Sequence, residues 1–283
     1  MNNPAQTGQN DSDLLNPLTD DHLASGLPPV TTGVLWRVAA RSLLLEATWN
    51  NLGQQSLGFL AAAEPALKLI YHNRPGDLAA AKLRALNFFN TNPVSSGLVI
   101  GAVLRLEEEY RDNLLDLTRF SSISGALASA MAAQGDRLFW QSWLPFCCLL
   151  ACLTVCLTGH PIAALLVPVL YVATAWPIRC WGLATGYRMG GRVYLIIQNY
   201  HVNVMVWILS IATTLLLAVL TVITMKTALT TAPGPWWRFL LAAACVVAIV
   251  SLNLRLIFRR RSLTIWLTYP AVVAALILTA VLM

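Results

Sequence analysis

GDRLFWQSWLPFCCLLACLTVCL, residues 135–157, decides how the rest of the chain is read. It contains Asp136, the last carboxylate of the chain, directly ahead of the first long apolar run. All 13 Asp and Glu residues lie between Asp11 and Asp136, and the sequence beyond keeps only basic charge. An unpaired carboxylate is costly in hydrocarbon, whereas Arg and Lys near segment ends snorkel to the interface and fix orientation. The sequence after Asp136 therefore reads as a membrane region of an all-α integral membrane protein.

Composition agrees. The chain is 57% hydrophobic and 11% charged, with mean hydropathy +0.62, outside the range of soluble domains. Its net charge of +6 is not a nucleic-acid signature, because the basic residues after Asp136 sit in short loops between apolar runs. About five transmembrane helices are expected, over 139–157, 162–176, 204–225, 239–252 and 263–282, the second and fourth being short. His160-Pro161 makes the first two a hairpin, and Pro168 and Pro270 predict kinks. Arg137, Arg179, Arg188, Arg192, Arg255 and Arg259–Arg261 fall on one side if the amino terminus is cytoplasmic, leaving Lys226 and Arg238 outside.

Three regions result. Residues 1–30 are polar and acidic, lack a signal-peptide core and read as a disordered cytoplasmic tail. Residues 137–283 are the transmembrane region. Residues 31–136 read as amphipathic and re-entrant helical hairpins: two helices over 31–70 broken near Asn50-Asn51, then a turn at Pro75-Gly76-Asp77 with Asp77 capping the next helix. That helix, 77–90, places Leu78, Leu83, Leu86 and Phe89 on one side. The apolar run 94–106, too short to span, suits a re-entrant arm. Cys148, Cys152 and Cys156 share a helical face, but no His or acid accompanies them, so packing is favoured over a metal or redox site and no cofactor is expected.

Three stretches of the first half fit together. One is Arg41-Ser42 followed by Ala47-Thr48-Trp49-Asn50, Gln55 and Leu57-Gly58-Phe59. Another is Asn87-Phe88-Phe89-Asn90-Thr91-Asn92-Pro93, leading to Leu106-Glu107-Glu108. The third is Gly135-Asp136 followed by Phe139-Trp140. In this order and spacing they resemble the IID subunit of the mannose/fructose/sorbose-type phosphotransferase-system permeases, over roughly residues 33–190, where Gly182, Gly186 and Tyr187 also match.

The resemblance implies a bacterial inner-membrane protein that pairs with a IIC subunit to form a sugar path. Cytoplasmic IIA and IIB proteins would relay phosphate to the incoming hexose or amino sugar, with a trimer of IIC–IID pairs as the assembly. It also implies that this subunit carries no phosphorylated residue, and the chain shows no catalytic nucleophile, metal set or phosphate-cradling loop of its own.

The residues point the same way. A sugar site needs amides and carboxylates to meet several hydroxyls and an aromatic face, beside a helix break that lines a cavity. Glu46, Trp49, Asn50, Gln55, Asn90, Thr91 and Asn92 supply these groups and are the candidate substrate residues. Pro93, Gly135 and Asp136 are the candidate structural or gating residues, and Glu107, Glu108 and Glu109 the candidate partner-facing ones. Plainer readings stand beside these: Asn90–Pro93 as a capping turn, the glutamate triplet as a solvated helix end, Asp136 as an interfacial cap. Two departures from the family pattern matter. Glu46 stands where Gln is common, and the segment from Gly125 to Gly135 has lost glycines and a proline, which predicts a more continuous helix. That erosion leaves an alternative function, a non-transporting regulatory or scaffold homologue.

Overall fold

The computed structural model describes residues 30–197 and 201–231, and what it describes is helical throughout, without a β-sheet. The helices are α1 (Thr32–Ser42), α2 (Ser56–Ile70), α3 (Pro75–Ala85), α4 (Ser96–Arg111), α5 (Leu117–Gly135), α6 (Leu144–Thr158), α7 (Leu166–Met189), the single turn α8 (Tyr194–Ile197) and α9 (His201–Thr231). A π-helical stretch, Asp136–Trp143, joins α5 to α6 without a break, so one helical path runs over Leu117–Thr158. The continuity expected from the lost glycines is present, and Asp136 lies inside this path rather than capping its end.

Among the described residues, three segments are long and apolar enough to cross a membrane: Leu117–Thr158, Pro161–Val193 and Val202–Thr227. They contain the first three expected spans, and the short run 162–176 gains its length by continuing to Val193. The expected spans 239–252 and 263–282, and Pro270, lie outside the described residues. Pro168 lies at the start of α7. It occupies the first turn, where an amide has no intrahelical partner to lose, and the interior proline of that helix is Pro177. Cys147 is the buried cysteine of α6, whereas Cys148, Cys152 and Cys156 are exposed. Their shared face is therefore turned away from the rest of the described residues.

The core sits in the first half. α4 is buried along almost its whole length, from Ser96 to Leu104 and again at Leu106. Its main neighbour is α7, and glycines on both helices set the contact. A Cβ at Gly97 would overlap the Arg179 carbonyl, at Gly101 the Leu183 carbonyl, and at Gly186 the Leu98 carbonyl. Gly97 and Gly101 are four apart on α4, as are Gly182 and Gly186 on α7, so each helix presents a glycine row to the other's backbone. Close approach of this kind replaces the hydrophobic drive that helices lack between one another in lipid.

α2 contains Pro65, which cannot donate to the Ala61 carbonyl one turn back. Arg41 Nη1 of α1 donates to that carbonyl instead, at 3.2 Å. The same guanidinium lies 3.4 Å from Glu64, which also pairs with Lys68 at 3.0 Å and Lys82 at 3.2 Å, tying α1, α2 and α3 together. These cations, Lys68 first and then Lys82, hold the Glu64 carboxyl down to about 2. A depressed carboxyl contributes its stability above its ordinary value of 4.5 and loses it as the pH falls toward 2. In detergent melts, wild type should lose about 1 kcal/mol more than Glu64→Gln over that interval, a magnitude discounted for the partial exposure of these side chains.

α3 departs from its expected face. It starts at Pro75, so Asp77 is in the first turn rather than at the cap position, where a carboxylate still favours the helix dipole. Ala81 and Ala85 face inward, while Leu83 and Leu86 are exposed and Phe89 lies past the helix end. The small residues let α3 approach closely, and Lys82 and Arg84 reach back to Glu64 and Glu107, which fixes its rotation.

Candidate functional site

The break between α1 and α2 builds one wall of the site. The Asn50 side-chain oxygen accepts from the amides of Leu52 (3.1 Å) and Gly53 (2.8 Å), and the backbones of Asn50 and Gln54 bond to each other in both directions. Gln54 takes a left-handed conformation, φ 55°, to close this loop. The chain then meets the 87–93 turn: Gln55 N donates to Phe89 O at 2.9 Å and Phe89 N to Gly53 O at 3.2 Å. The Gln55 carboxamide extends this ladder, donating to Thr91 O (2.7 Å) and accepting from Thr91 N (2.9 Å). Its second amide hydrogen goes to the Glu46 carboxylate. Beneath, Phe59 stacks on Phe89 with ring centroids 4.4 Å apart.

The other wall is the α5 end. Asn92, almost fully buried, caps its own turn through Val94 N (3.0 Å) and donates to Asp136 Oδ1 at 2.9 Å. Ser95 Oγ donates to Met131 O at 3.2 Å. Gly135 makes this contact possible, because a Cβ there would overlap the Asn92 side chain. Arg179 of α7 ties the end of α1 to the 87–93 turn: buried, it donates to Ser42 O at the carboxyl end of α1 (3.0 Å) and to Pro93 O. A cation at the negative end of a helix dipole is well placed.

Between the walls lies a cleft of about 300 Å³ lined by Glu46, Trp49, Gln55, Asn90, Thr91, Pro93, Ala132, Asp136 and Trp140. Trp49 and Trp140 are each about half exposed (50% and 48%). Thr91 is 2% exposed, and its hydroxyl is one of two buried side-chain polar atoms without a partner among the described residues. A buried hydroxyl left unpaired costs free energy that a ligand's hydrogen bond would recover.

Glu46, Trp49, Gln55, Asn90 and Thr91 thus come together from two sequence stretches, with Pro93 and Asp136 beside them. Asn50 and Asn92 do not line the cleft: their amides are consumed in closing the turns that shape it. Trp140, Ala132 and Arg179 were missed. Trp140 was legible as the residue one turn beyond Asp136 on the same helical path, whereas Arg179 was read only as a topology-setting charge.

The glutamate triplet is also placed differently. Glu107 is 3% exposed and pairs with Arg84 through two contacts, 2.7 and 3.2 Å, while Tyr71 donates to it at 2.6 Å. Burial, then the Glu107 charge, pushes the Tyr71 phenol well above its usual range, so it stays a donor. Arg84 also lies over the Tyr110 ring at 4.6 Å. Glu108 accepts from Tyr187 at 2.7 Å and pairs with Arg105 at 3.1 Å, and Glu109 meets Arg105 at 3.4 Å. Buried carboxylates need such partners, and these lie within the chain, which corrects the solvated helix end and leaves Glu107 and Glu108 closed to a second protein. A larger cleft of about 600 Å³ at the far end of α4 has Arg84, Arg111 and Arg119 in its lining. Each of these three is matched by a carboxylate, of Glu107, Asp112 and Asp116, and Arg74 and Asp77 add a further charge of each sign to the lining.

Comparison with known proteins bears on the family and the fold. Residues 29–250 match the family described as PTS system mannose/fructose/sorbose family IID component. The PTS system mannose-specific EIID component of Escherichia coli (strain K12) is 30% identical over 154 residues, 54% of each chain. The PTS system sorbose-specific EIID component of Klebsiella pneumoniae is 31% identical over 162 residues, 57% of this chain and 58% of the relative. The chain thus spans little more than half the length of the curated relatives it matches. Among solved structures, the mannose transporter ManYZ in complex with microcin E492 aligns with a TM-score of 0.52 at 26% identity, covering 68% of this chain and 70% of that one. A second, described as a membrane protein, aligns with a TM-score of 0.62 at 25% identity, over 69% and 71%. The chain is a membrane protein that belongs to the mannose/fructose/sorbose family of phosphotransferase-system IID components.

Proposed function

We propose that this chain pairs with a IIC subunit in a bacterial inner membrane, amino terminus in the cytoplasm, to form the translocation path for a hexose-class sugar. Cytoplasmic IIA and IIB proteins supply the phosphoryl group, and the chain's part is to bind and pass the sugar rather than to carry phosphate. A trimer of such pairs is the assembly that goes with this reading.

One observation carries it: the two motif-bearing loops and the π-helical stretch converge on a single cleft with the makings of a carbohydrate site. Two indoles offer faces for the ring, and Glu46, Asp136, Asn90 and the unpartnered Thr91 hydroxyl offer hydrogen-bonding groups. Glu109, at the end of α4, is the member of the triplet left to meet a partner protein. The eroded 125–134 segment supports the scaffold reading, in which the fold and its partner surface persist without flux.

Phosphoenolpyruvate-dependent hexose uptake into vesicles holding the chain with IIC, IIA and IIB proteins tests the proposal. Trp140→Ala and Thr91→Val should each lower uptake about 10- to 100-fold at unchanged membrane abundance, the scale of one or two good contacts. Undiminished uptake in both variants places the sugar elsewhere. Stable IIC association with no uptake of any hexose by wild type replaces the transport reading with the scaffold one.

A further inference from the structure

We propose that the arginine-lined cleft at the far end of α4 seats an acidic, leucine-bearing segment of this chain's own amino terminus, Leu18-Thr19-Asp20-Asp21-His22-Leu23. The cleft is about 600 Å³, and its wall carries the guanidinium groups of Arg74, Arg84, Arg111 and Arg119 against the carboxylates of Asp77 and Asp116. Glu107 and Asp112, which hold Arg84 and Arg111, do not line it.

Both lining carboxylates are committed to helix starts. Asp116 caps α5, accepting from Arg119 N at 2.7 Å, and Asp77 sits in the first turn of α3, where the helix dipole favours negative charge. Two of the cations are less engaged. Arg74 is exposed and pairs with no carboxylate among the described residues. Arg119 reaches Asp116 only at 3.7 Å, and both side chains are more than half exposed. Exposed Leu114 and half-buried Leu115 add apolar wall beside them. The cleft therefore suits an occupant that brings carboxylates flanked by apolar side chains, since guanidinium and carboxylate form charge-assisted hydrogen bonds.

Charge and point of attachment single out the segment. Residues 1–29 contain Asp11, Asp13, Asp20 and Asp21 and no Lys or Arg, and Leu18 and Leu23 stand on either side of the Asp20-Asp21 pair. The segment joins the described residues at the right end of α4. Val30 is buried and its amide donates to Tyr187 Oη at 2.9 Å, while Tyr187 donates to Glu108. Glu108 precedes Arg111 of the cleft wall by about 4.5 Å of helix rise. An extended path from Leu23 to Val30 covers up to about 25 Å. A tether that short holds the segment at an effective concentration on the order of millimolar, so modest ion pairs and leucine burial keep the cleft filled. The cleft lined by Glu46 and Asp136, with no cation in its wall, repels the same segment.

Photo-cross-linking in the full chain, reconstituted in phosphatidylcholine vesicles, tests this. A photoreactive benzoylphenylalanine in place of Ala80, which lines the cleft, should form its main adduct within residues 18–23 of the same chain. Mass spectrometry on mixed isotope-labelled and unlabelled copies locates the adduct and separates bonds within a chain from bonds between copies. Arg74→Glu with Arg119→Glu, both exposed positions, should lower the adduct yield at least about 5-fold, the scale of two part-exposed ion pairs. Asp20→Arg with Asp21→Arg in that background should restore it. The chain with its native charges should show a comparable loss in about 1 M sodium chloride, where screening acts within about 3 Å. Adducts confined to lipid or to other parts of the chain overturn the proposal, as do adducts mainly between copies. So does an adduct in residues 18–23 that neither charge reversal nor salt lowers.

Discussion

Gly186→Ala is expected to abolish the folded state of the chain, and Gly101→Ala to do the same, although each adds one methyl group. In both positions the new carbon would fall on a backbone carbonyl of the facing helix, that of Leu98 for Gly186 and of Leu183 for Gly101. A side chain can rotate away from an added methyl, but a carbonyl inside a helix cannot without breaking its own hydrogen bond. Overpacking of adaptable cores costs about 1–3 kcal/mol, and the rigid backbone here places the cost at or above the upper end of that range. The loss propagates, because α4 carries the buried centre of the first half and α7 holds Arg179 against the end of α1 and the 87–93 turn. Gly125→Ala is the matching control: nothing lies within 4 Å of its added Cβ, and alanine should favour α5 by up to about 1 kcal/mol. Size-exclusion profiles and thermal melts of detergent-solubilised protein separate these outcomes. A monodisperse Gly186→Ala with wild-type Tm would mean that α4 and α7 are not in backbone contact.

Arg84→Met carries the second large expected effect. It keeps the length of the side chain over Tyr110 and removes only the charge, leaving Glu107 buried with Tyr71 as its remaining partner. Stripping one member from a buried pair costs about 3–5 kcal/mol, chiefly because the other charge is stranded. The double variant Arg84→Met with Glu107→Gln should recover a large part of that loss, since a neutral amide can stay with Tyr71 at far lower desolvation cost. Melts of the three variants in one detergent check this. If Arg84→Met alone is as stable as wild type, Glu107 reaches water or a different cation.

Much of this architecture is legible in the sequence, and the remainder has identifiable physical reasons. The membrane spans follow from the absence of carboxylates beyond Asp136, because hydrocarbon imposes that rule on any helix it surrounds. The loop breaks follow from Asn50-Asn51 and Asn92-Pro93, whose preferences are local. Rotation about a helix axis is not local, and there the reading failed. Glu107 and Glu108 look solvated in a charge run, yet their partners Arg84, Tyr71 and Tyr187 are brought from three other elements. Leu83 and Leu86 look like a core face, yet ion pairs from Lys82 and Arg84 turn α3 onto its alanines. In the cleft, sequence names the right neighbourhood without dividing its labour. Asn50 and Asn92 shape the walls, whereas Asn90 and Thr91, between them in the chain, line the space. The glycine spacings at 97/101 and 182/186 were readable as a helix-contact signal, but which rows face each other is a property of the assembled fold.

The central claim is that the cleft between the Gln55–Thr91 ladder and the Asp136 end of α5 holds the sugar. The most direct test is an electron cryo-microscopy structure of this chain bound to its IIC partner in the presence of saturating sugar. The account predicts ring-shaped density between Trp49 and Trp140, within hydrogen-bonding distance of Thr91 Oγ1 and of at least one of Glu46 and Asp136. Sugar density held wholly by the partner subunit, or seated in the arginine-lined cleft at the far end of α4, would contradict it.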